Sequence, residues 1–258
     1  MKNFTFTVDD NIRALKEIAR DRPESIFDHP YLAMYRRLHE QYDLKVQLNL
    51  YYETEEFDLS QMPDAYRAQW QENAHWLKLS FHSRLENVRP YEFSGYEEVY
   101  RDCEAVHTQI LRFASPENLG KTTTVHYCFT TREGAQALED LGMTGLLGLF
   151  YADPPRSSYS FSQAEAQPLI EGALVRRGGV TYAGIDVVMN SFDTETVLEK
   201  LRQLNGRDSI RVMIHEQYFY PDYRSYQPEF EEKIGAAFSY LRQQGYESRF
   251  FEELVGES

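Results

Sequence analysis

Short apolar or alternating segments recur along the chain, separated by segments whose apolar residues return every three or four positions. The first pattern predicts strands and the second predicts helices. The predicted strands span residues 4–8, 45–52, 77–82, 122–129, 145–151, 209–215 and 248–254. The predicted helices span residues 11–20, 31–42, 63–74, 96–114, 132–141, 194–204 and 228–244. This alternation predicts an α/β protein with a mostly parallel sheet, and about seven such units favour a single TIM-like βα-barrel over an open sheet.

Residues 152–188 interrupt the alternation. They contain Pro154-Pro155, a serine-rich run and the pair Gly178-Gly179. We interpret them as a loop, a hairpin-like excursion around the glycines, and a further strand that ends near Asn190. Because the sequence shows no linker, low-complexity tract or internal repeat, we expect one domain over residues 1–258.

Composition narrows the class of protein. Hydrophobic residues make up 42% of the 258 residues, enough for a full core, and the net charge is -14 with no basic stripe. The charge argues against nucleic acid or an anionic membrane as partner, and against a strongly anionic substrate unless a metal offsets it. With no signal peptide, no apolar run of membrane-spanning length and two cysteines without metal-type spacing, we expect a cytoplasmic protein with reduced thiols. The 19 tyrosines suit either stacking on sugar rings or a tyrosine-rich surface.

Polar residues follow the ends of several predicted strands. These groups are Asp9-Asp10, Tyr51-Tyr52-Glu53, His82-Ser83-Arg84, His126-Tyr127 and His215-Glu216-Gln217-Tyr218. In parallel βα folds the C-terminal ends of the strands converge, so the pattern predicts one shared polar site. The residues expected to contact a substrate there are Tyr52, Arg84, Tyr127, Glu216 and Tyr218.

The residue types indicate acid–base or metal chemistry. Adjacent carboxylates at Asp9-Asp10 allow one to bind a divalent cation while the other acts as a base, although the pair could instead cap the next helix. His82 is a candidate metal ligand, and Glu86 faces the same side if that segment is helical; otherwise it is a solvated loop acid. His126 faces either the barrel lumen or an overlying helix, depending on a register that the pattern leaves open. His215 suits a general acid near neutral pH.

Three segments resemble motifs of the polysaccharide deacetylase superfamily of carbohydrate esterases. Thr7-Val8-Asp9-Asp10-Asn11 is similar to its T-F-D-D-G motif, His82-Ser83-Arg84-Leu85-Glu86 to its H-[ST]-x-x-H motif, and Val212-Met213-Ile214-His215 to its strand ending in Leu-x-His. The resemblance implies a distorted (β/α)7 barrel and metal-dependent removal of an acyl group from a sugar amide or ester. It also implies that Asp9 is the base, Asp10 and His82 are metal ligands, and His215 is the general acid.

The sequence departs from this family at three points. Asn11 replaces the glycine, Glu86 replaces the second histidine, and His126-Tyr127 stands where an Arg-Pro-rich motif is expected. We therefore expect Glu86 or His126 to complete the coordination of a divalent metal, with zinc the first candidate. The segment 215–220 also resembles deacetylase-like bacterial proteins, which implies no particular activity.

Three functions are compatible with these residues. The first is a metal-dependent hydrolase that removes an acyl group from a small-molecule or oligosaccharide substrate. The second is a metal-free glycosidase with Asp10 and Glu216 as its acid and base. The third is a non-catalytic sugar-binding or regulatory protein on a degenerate deacetylase scaffold, which the altered second motif favours.

Overall fold

The computed structural model describes residues 2–86 and 91–255. Its strands alternate with helices through most of the chain. The strands are β1 (Asn3–Asn11), β2 (Val46–Thr54), β3 (Phe57–Asp58), β4 (Leu77–Leu85), β5 (Thr122–Thr123), β6 (Gly145–Gly148), β7 (Tyr151–Ala152), β8 (Pro155–Arg156), β9 (Val175–Arg177), β10 (Val180–Gly184), β11 (Val187–Val188), β12 (Ser209–His215) and β13 (Glu247–Ser248). The helices are α1 (Arg13–Asp21), α2 (Pro30–Tyr42), α3 (Arg67–Glu72), α4 (Tyr96–Phe113), α5 (Arg132–Asp140), α6 (Gln163–Ile170), α7 (Thr194–Gln203), α8 (Phe230–Gln243) and α9 (Phe251–Val255).

Two parallel sheets join into a barrel. One runs β11–β12–β1–β2–β4 and the other runs β5–β6–β10. They meet on one side because the chain passes from β10 to β11 within three residues. On the other side the amide of Gly120 donates to the carbonyl of Leu79 at 2.8 Å, and the Ser80 hydroxyl donates to the carbonyl of Thr122 at 2.8 Å. The structure therefore confirms the predicted βα-barrel, and its very short strands β5 and β11 make it irregular.

The alternation of side chains in β1 shows how the strands are placed. Phe4 and Phe6 face the helices: the Phe4 ring stacks on Phe238 of α8 at 5.0 Å, and the Phe6 ring lies 6.1 Å from Tyr35 of α2. Since side chains alternate along a strand, Asp9 faces the opposite way, into the lumen. Apolar packing outside the barrel thus leaves the inner face free to carry polar residues.

Helix α9 closes the N-terminal end of the barrel, where the sequence pattern predicts a strand over residues 248–254. That prediction is wrong beyond Ser248, because β13 ends there and the chain turns into α9. Glu252 pairs with Lys78, and Glu253 pairs with Lys45 at 2.6 Å, which holds the helix against the strands. The opposite end of the barrel remains open.

Residues 122–129 also differ from the prediction of a continuous strand. β5 ends at Thr123, and His126 to Cys128 form a single tight turn in which Tyr127 and Cys128 have φ of 58° and 61°. Two consecutive left-handed residues turn the chain away from the extended direction, so it bends at the barrel rim. The strand predicted over residues 145–151 is also shorter than expected, because β6 ends at Gly148.

The interrupting segment contains a helix that the pattern did not predict. In α6 the Ser162 side chain and Glu165 form a capping box, a motif that can be recognised in a sequence. The helix is short and contains Pro168, which weakens the helical pattern. The expected hairpin around Gly178-Gly179 is confirmed, because β9 and β10 pair antiparallel there. Within the described ranges, no helix is long and apolar enough to cross a membrane.

Candidate metal and active site

A cavity of about 830 Å³ opens at the C-terminal ends of the barrel strands. Its lining includes six polar residues, five from the ends of β1, β2, β4 and β12 and one from the turn after β5. They are Asp9, Asp10, Tyr51, His82, His126 and His215. Convergence of parallel strands thus brings together side chains that are far apart in the sequence.

Asp10, His82 and His126 form a compact cluster in this cavity. His82 Nε2 lies 3.0 Å from Asp10 Oδ1 and 3.1 Å from His126 Nδ1, and His126 Nδ1 lies 3.4 Å from Asp10 Oδ1. One ligand atom from each residue lies within 4.8 Å of the other two. One carboxylate and two imidazoles form a donor set that suits zinc and other divalent transition metals.

The backbone explains why both acids of the Asp9-Asp10 pair reach the cavity. Alternation would direct successive side chains to opposite faces, but Asp10 has φ of 64°, a left-handed conformation that aspartate tolerates better than most residues. Asn11 fixes the turn: its Nδ2 donates to the carbonyls of Val8 at 2.6 Å and Asn49 at 3.1 Å. The residue that replaces the expected glycine therefore has a structural function.

The environment of His82 fixes which ring nitrogen faces the cluster. His82 Nδ1 lies 2.5 Å from the carbonyl oxygen of Thr124 and donates its hydrogen there. The neutral ring then presents an unprotonated Nε2 to Asp10 and His126. A histidine whose other nitrogen donates to a backbone carbonyl is a typical metal ligand.

The electrostatics of the cluster favour a bound cation. Burial alone would raise the pKa of Asp10, but the close contacts with His126 and His82 hold this pKa well below its usual value. Burial lowers the pKa of His82, although the charge of Asp10 acts in the opposite direction. An ionised carboxylate and unprotonated imidazole nitrogens all present lone pairs to one another. A cation bound between them would relieve this repulsion, so the residues fit a divalent metal.

Tyr51 and Gln217 hold Asp10 from two sides. The Tyr51 hydroxyl donates to Asp10 Oδ1 and also lies 3.0 Å from His126 Nδ1. Gln217 Nε2 donates to Asp10 Oδ2 at 2.7 Å. Burial, with the nearby charge of Asp10, raises the pKa of Tyr51, so its hydroxyl stays protonated and remains a donor.

Asp9 and His215 flank the cluster. Asp9 is buried and accepts a hydrogen bond from Asn49 Nδ2 at 2.7 Å. Burial raises the pKa of Asp9 well above its usual value, opposed by the Asn49 hydrogen bond and reinforced by Asp10. His215 Nδ1 donates to Asn190 Oδ1 at 2.8 Å, and burial lowers its pKa against the attraction of Asp10. Asp9 is thus suited to accept a proton, and the neutral His215 ring keeps its Nε2 for proton transfer.

Some predicted residues line the cavity away from the cluster. Tyr127 and Tyr218 form part of its wall, and the Tyr127 side chain is 38% exposed. Glu86 also lines the cavity but is exposed and lies outside the three-residue cluster. His126, rather than Glu86, therefore stands with Asp10 and His82.

Glu216 does not face the cavity, contrary to the expectation of a substrate contact. Its carboxylate is buried at the N-terminus of α1 and accepts hydrogen bonds from the amides of Ile12, Arg13 and Ala14 at 2.8, 2.9 and 2.8 Å. Unpaired amides at a helix N-terminus attract a carboxylate. This structural use of the side chain removes the basis for an acid–base pair of Asp10 with Glu216.

Tyr52 and Arg84, which the sequence predicts as substrate contacts, do not line the cavity within the described part of the chain. Arg84 pairs with Glu53 at 3.2 Å, and its guanidinium lies 5.2 Å from the centre of the Tyr52 ring. Tyr51 takes the place expected for Tyr52 because neighbouring strand residues face opposite sides.

Four residues that contribute to the site had no individual role assigned from the sequence. They are Asn49, Tyr51, Asn190 and Gln217. The available signal was positional, since Tyr51 and Gln217 are next to predicted residues and Asn190 ends a predicted strand. Asn49 gave a weaker signal, as a polar residue inside an apolar strand.

No protein-family model matches the sequence, and no curated protein matches it. Solved structures do match. A 4-alpha-glucanotransferase from Thermococcus litoralis aligns with a TM-score of 0.66 at 15% identity over 100% of this chain, which spans 40% of the length of that enzyme. A family 4 acetyl xylan esterase from Clostridium thermocellum, solved with a cobalt ion, aligns with a TM-score of 0.51 at 13% identity over 99% of this chain and 91% of its own.

A proposed cellobiose-phosphate cleavage protein from Enterococcus faecalis aligns with a TM-score of 0.53 at 12% identity, over 98% of each chain. At these identities the matches show the fold alone. The chain therefore shares the barrel fold of these three proteins, one of which is an acetyl xylan esterase.

Proposed function

We propose that this chain is a metal-dependent hydrolase that removes an acyl group from a carbohydrate or a related amide or ester. The observation that carries the proposal is the Asp10-His82-His126 cluster, which lies at the open end of a deacetylase-like barrel with Asp9 and His215 beside it. The acetyl xylan esterase that was solved with a cobalt ion has a similar fold, which supports the proposal of a metal-dependent hydrolase.

The three clustered residues would hold a divalent metal, zinc being the first candidate. A metal at this position would supply Lewis acidity toward the carbonyl of the acyl group. Tyr51 and Gln217 fix the Asp10 carboxylate, and Thr124 fixes the His82 ring, so the donor atoms stay in place during the reaction.

The chain's own groups would move the protons. Asp9, whose pKa is raised by burial, takes a proton from the attacking water. His215, whose Nδ1 donates to Asn190, first takes up a proton from solvent at Nε2 and then gives that proton to the leaving oxygen or nitrogen, while the proton held by Asp9 returns to solvent. Tyr127 and Tyr218 in the cavity wall give flat surfaces on which a sugar ring can stack.

Metal analysis of protein purified without chelator tests this proposal. We expect about one divalent metal per chain, loss of that metal in Asp10→Ala and His82→Ala, and a higher melting temperature when Zn²⁺, Co²⁺ or Mn²⁺ is added to stripped protein. Release of acetate from acetylated sugars should need the metal and Asp9. A protein that neither holds a metal nor is stabilised by one contradicts the proposal.

The non-catalytic alternative retains one supporting observation, the aromatic wall of the cavity. It predicts sugar binding without acetate release, and binding that is unchanged in Asp9→Asn. Acetate release that is lost in the same variant would exclude it.

A further inference from the structure

Three positively charged side chains share the cavity with the Asp10-His82-His126 cluster. Arg156, Lys200 and Arg224 all line it, in a protein whose net charge is -14. The negative net charge repels an anionic substrate at long range. Positive side chains around the cavity make the local potential there more favourable to an anion than the net charge indicates.

None of the three is used for an ion pair inside the described ranges 2–86 and 91–255, where no carboxylate lies within 4.0 Å of their nitrogens. Elsewhere on the molecule Arg37 pairs with Glu231 at 2.7 Å, and Arg177 with Glu165 at 3.2 Å. The cavity cations therefore keep their charges available to a ligand.

Two of the cations are held in place by their surroundings. Arg156 Nη2 donates to the carbonyl of Tyr127 at 3.2 Å, which leaves its other N–H groups free to point elsewhere. The Lys200 Nζ lies 4.3 Å from the centre of the Phe192 ring. Such contacts reduce the entropy lost when the side chain orders around a ligand.

A further acid of the cavity wall, Asp186, is already neutralised by ion pairs. Asp186 lines the cavity but pairs with Arg207 at 2.6 Å and with the buried Arg211 at 3.3 Å. It therefore does not cancel the charges of Arg156, Lys200 and Arg224.

We propose that the substrate is an anionic carbohydrate, whose carboxylate or phosphate binds Arg156, Lys200 and Arg224 while its acyl group lies at Asp10, His82 and His126. The inference rests on the proposed function for the position of the acyl group. It revises the expectation, drawn from net charge alone, that an anionic substrate is disfavoured. Guanidinium and ammonium groups are the usual partners of both anions.

Calorimetric titration with three sugars that share an N-acetyl group tests the proposal. The probes are N-acetylglucosamine, which is neutral, N-acetylglucosamine 6-phosphate, and N-acetylmuramic acid, which carries a carboxylate. We expect at least one anionic sugar to bind about tenfold more tightly than the neutral one at about 50 mM salt, with most of the advantage lost at about 500 mM. The better anionic probe identifies the group that the site prefers.

Single substitutions locate the effect. Arg156→Gln and Arg224→Gln should each weaken binding of the preferred anionic sugar about threefold to tenfold and leave the neutral sugar unaffected. Arg242→Gln, at an exposed arginine on α8 outside the cavity wall, is the matched control and should change neither. Equal affinity for all three sugars, or no detectable binding of either anionic sugar, overturns the proposal.

Acetate release, measured in parallel, separates the two proposals. Selective binding of an anionic sugar without acetate release would refute the hydrolase function and keep the anionic ligand. Equal kcat/KM for all three sugars would refute the anionic substrate and keep the hydrolase. The salt dependence of the unmodified protein provides a test that does not depend on any variant folding.

Discussion

The Tyr51 hydroxyl donates a hydrogen bond to Asp10 Oδ1, the carboxylate oxygen that also faces His82 Nε2 at 3.0 Å. The Tyr51 ring packs edge-on against both histidines, with ring centres 5.2 Å from His82 and 5.1 Å from His126. One side chain thus contacts all three members of the cluster and fixes their separation.

We expect Tyr51→Phe to weaken metal binding about 10- to 100-fold, because outer hydrogen bonds orient the ligands of a metal. The measurement is a competitive titration of stripped protein with Zn²⁺ and a chromophoric chelator. Tyr52→Phe is the control, since the next residue lies outside the cavity and should bind Zn²⁺ as the unmodified protein does. Equal losses in both variants would contradict a specific role for Tyr51.

His126 and Glu86 give opposite predictions for metal affinity. The first is in the cluster and the second lines the cavity outside it. We expect His126→Ala to lower Zn²⁺ affinity at least about 100-fold, since it removes one of three ligands, and Glu86→Gln to change it less than about threefold. The same titration checks both. If Glu86→Gln instead lost the metal, the coordination would differ from the one proposed.

Glu216 should affect folding rather than catalysis. Its carboxylate accepts three backbone hydrogen bonds at the start of α1. Glu216→Gln should therefore lower the free energy of unfolding by about 1–3 kcal/mol, measured by urea denaturation, with Glu40→Gln as an exposed control. A stable Glu216→Gln protein that had lost glycoside hydrolysis would instead support the glycosidase hypothesis.

His107 makes stability depend on pH. Burial lowers the pKa of this residue on α4 from 6.5 to about 4. Since the unfolded chain takes up the proton first, the neutral buried state contributes its full stability above pH 6.5, and the contribution falls as the pH drops toward 4, by about 3 kcal/mol in all.

Urea denaturation at several pH values in this range checks that prediction. His107→Gln cannot titrate, so the loss of stability on acidification should be smaller by most of this amount, even if the variant is less stable at every pH. His75→Gln, at an exposed histidine, should keep the steeper dependence. An unchanged pH dependence in His107→Gln would show that His107 titrates alike in both states.

By itself the sequence determined the barrel, the order of its main strands and the end of the barrel where polar groups collect. Periodic apolar residues mark which segments become strands and helices, and strand ends in a parallel fold converge whatever their register. The strand predicted over 209–215 matches β12 in both bounds, and His215 follows from it as a cavity residue.

Only the tertiary structure decided which polar residue at each strand end enters the site. Ordinary alternation along β2 places Tyr51 on the same side as Asn49. The extra residue His82 in β4, opposite Leu50 and Tyr51, and the left-handed backbone at Asp10, Tyr127 and Cys128 interrupt the alternation elsewhere. The facing of each strand and these local changes are set by packing against other strands, so Tyr51 rather than Tyr52, and His126 rather than Glu86, reach the cluster. Tertiary structure also keeps the Glu216 carboxylate out of the cavity, because the amides that bind it lie at the start of a helix about 200 residues away in the chain.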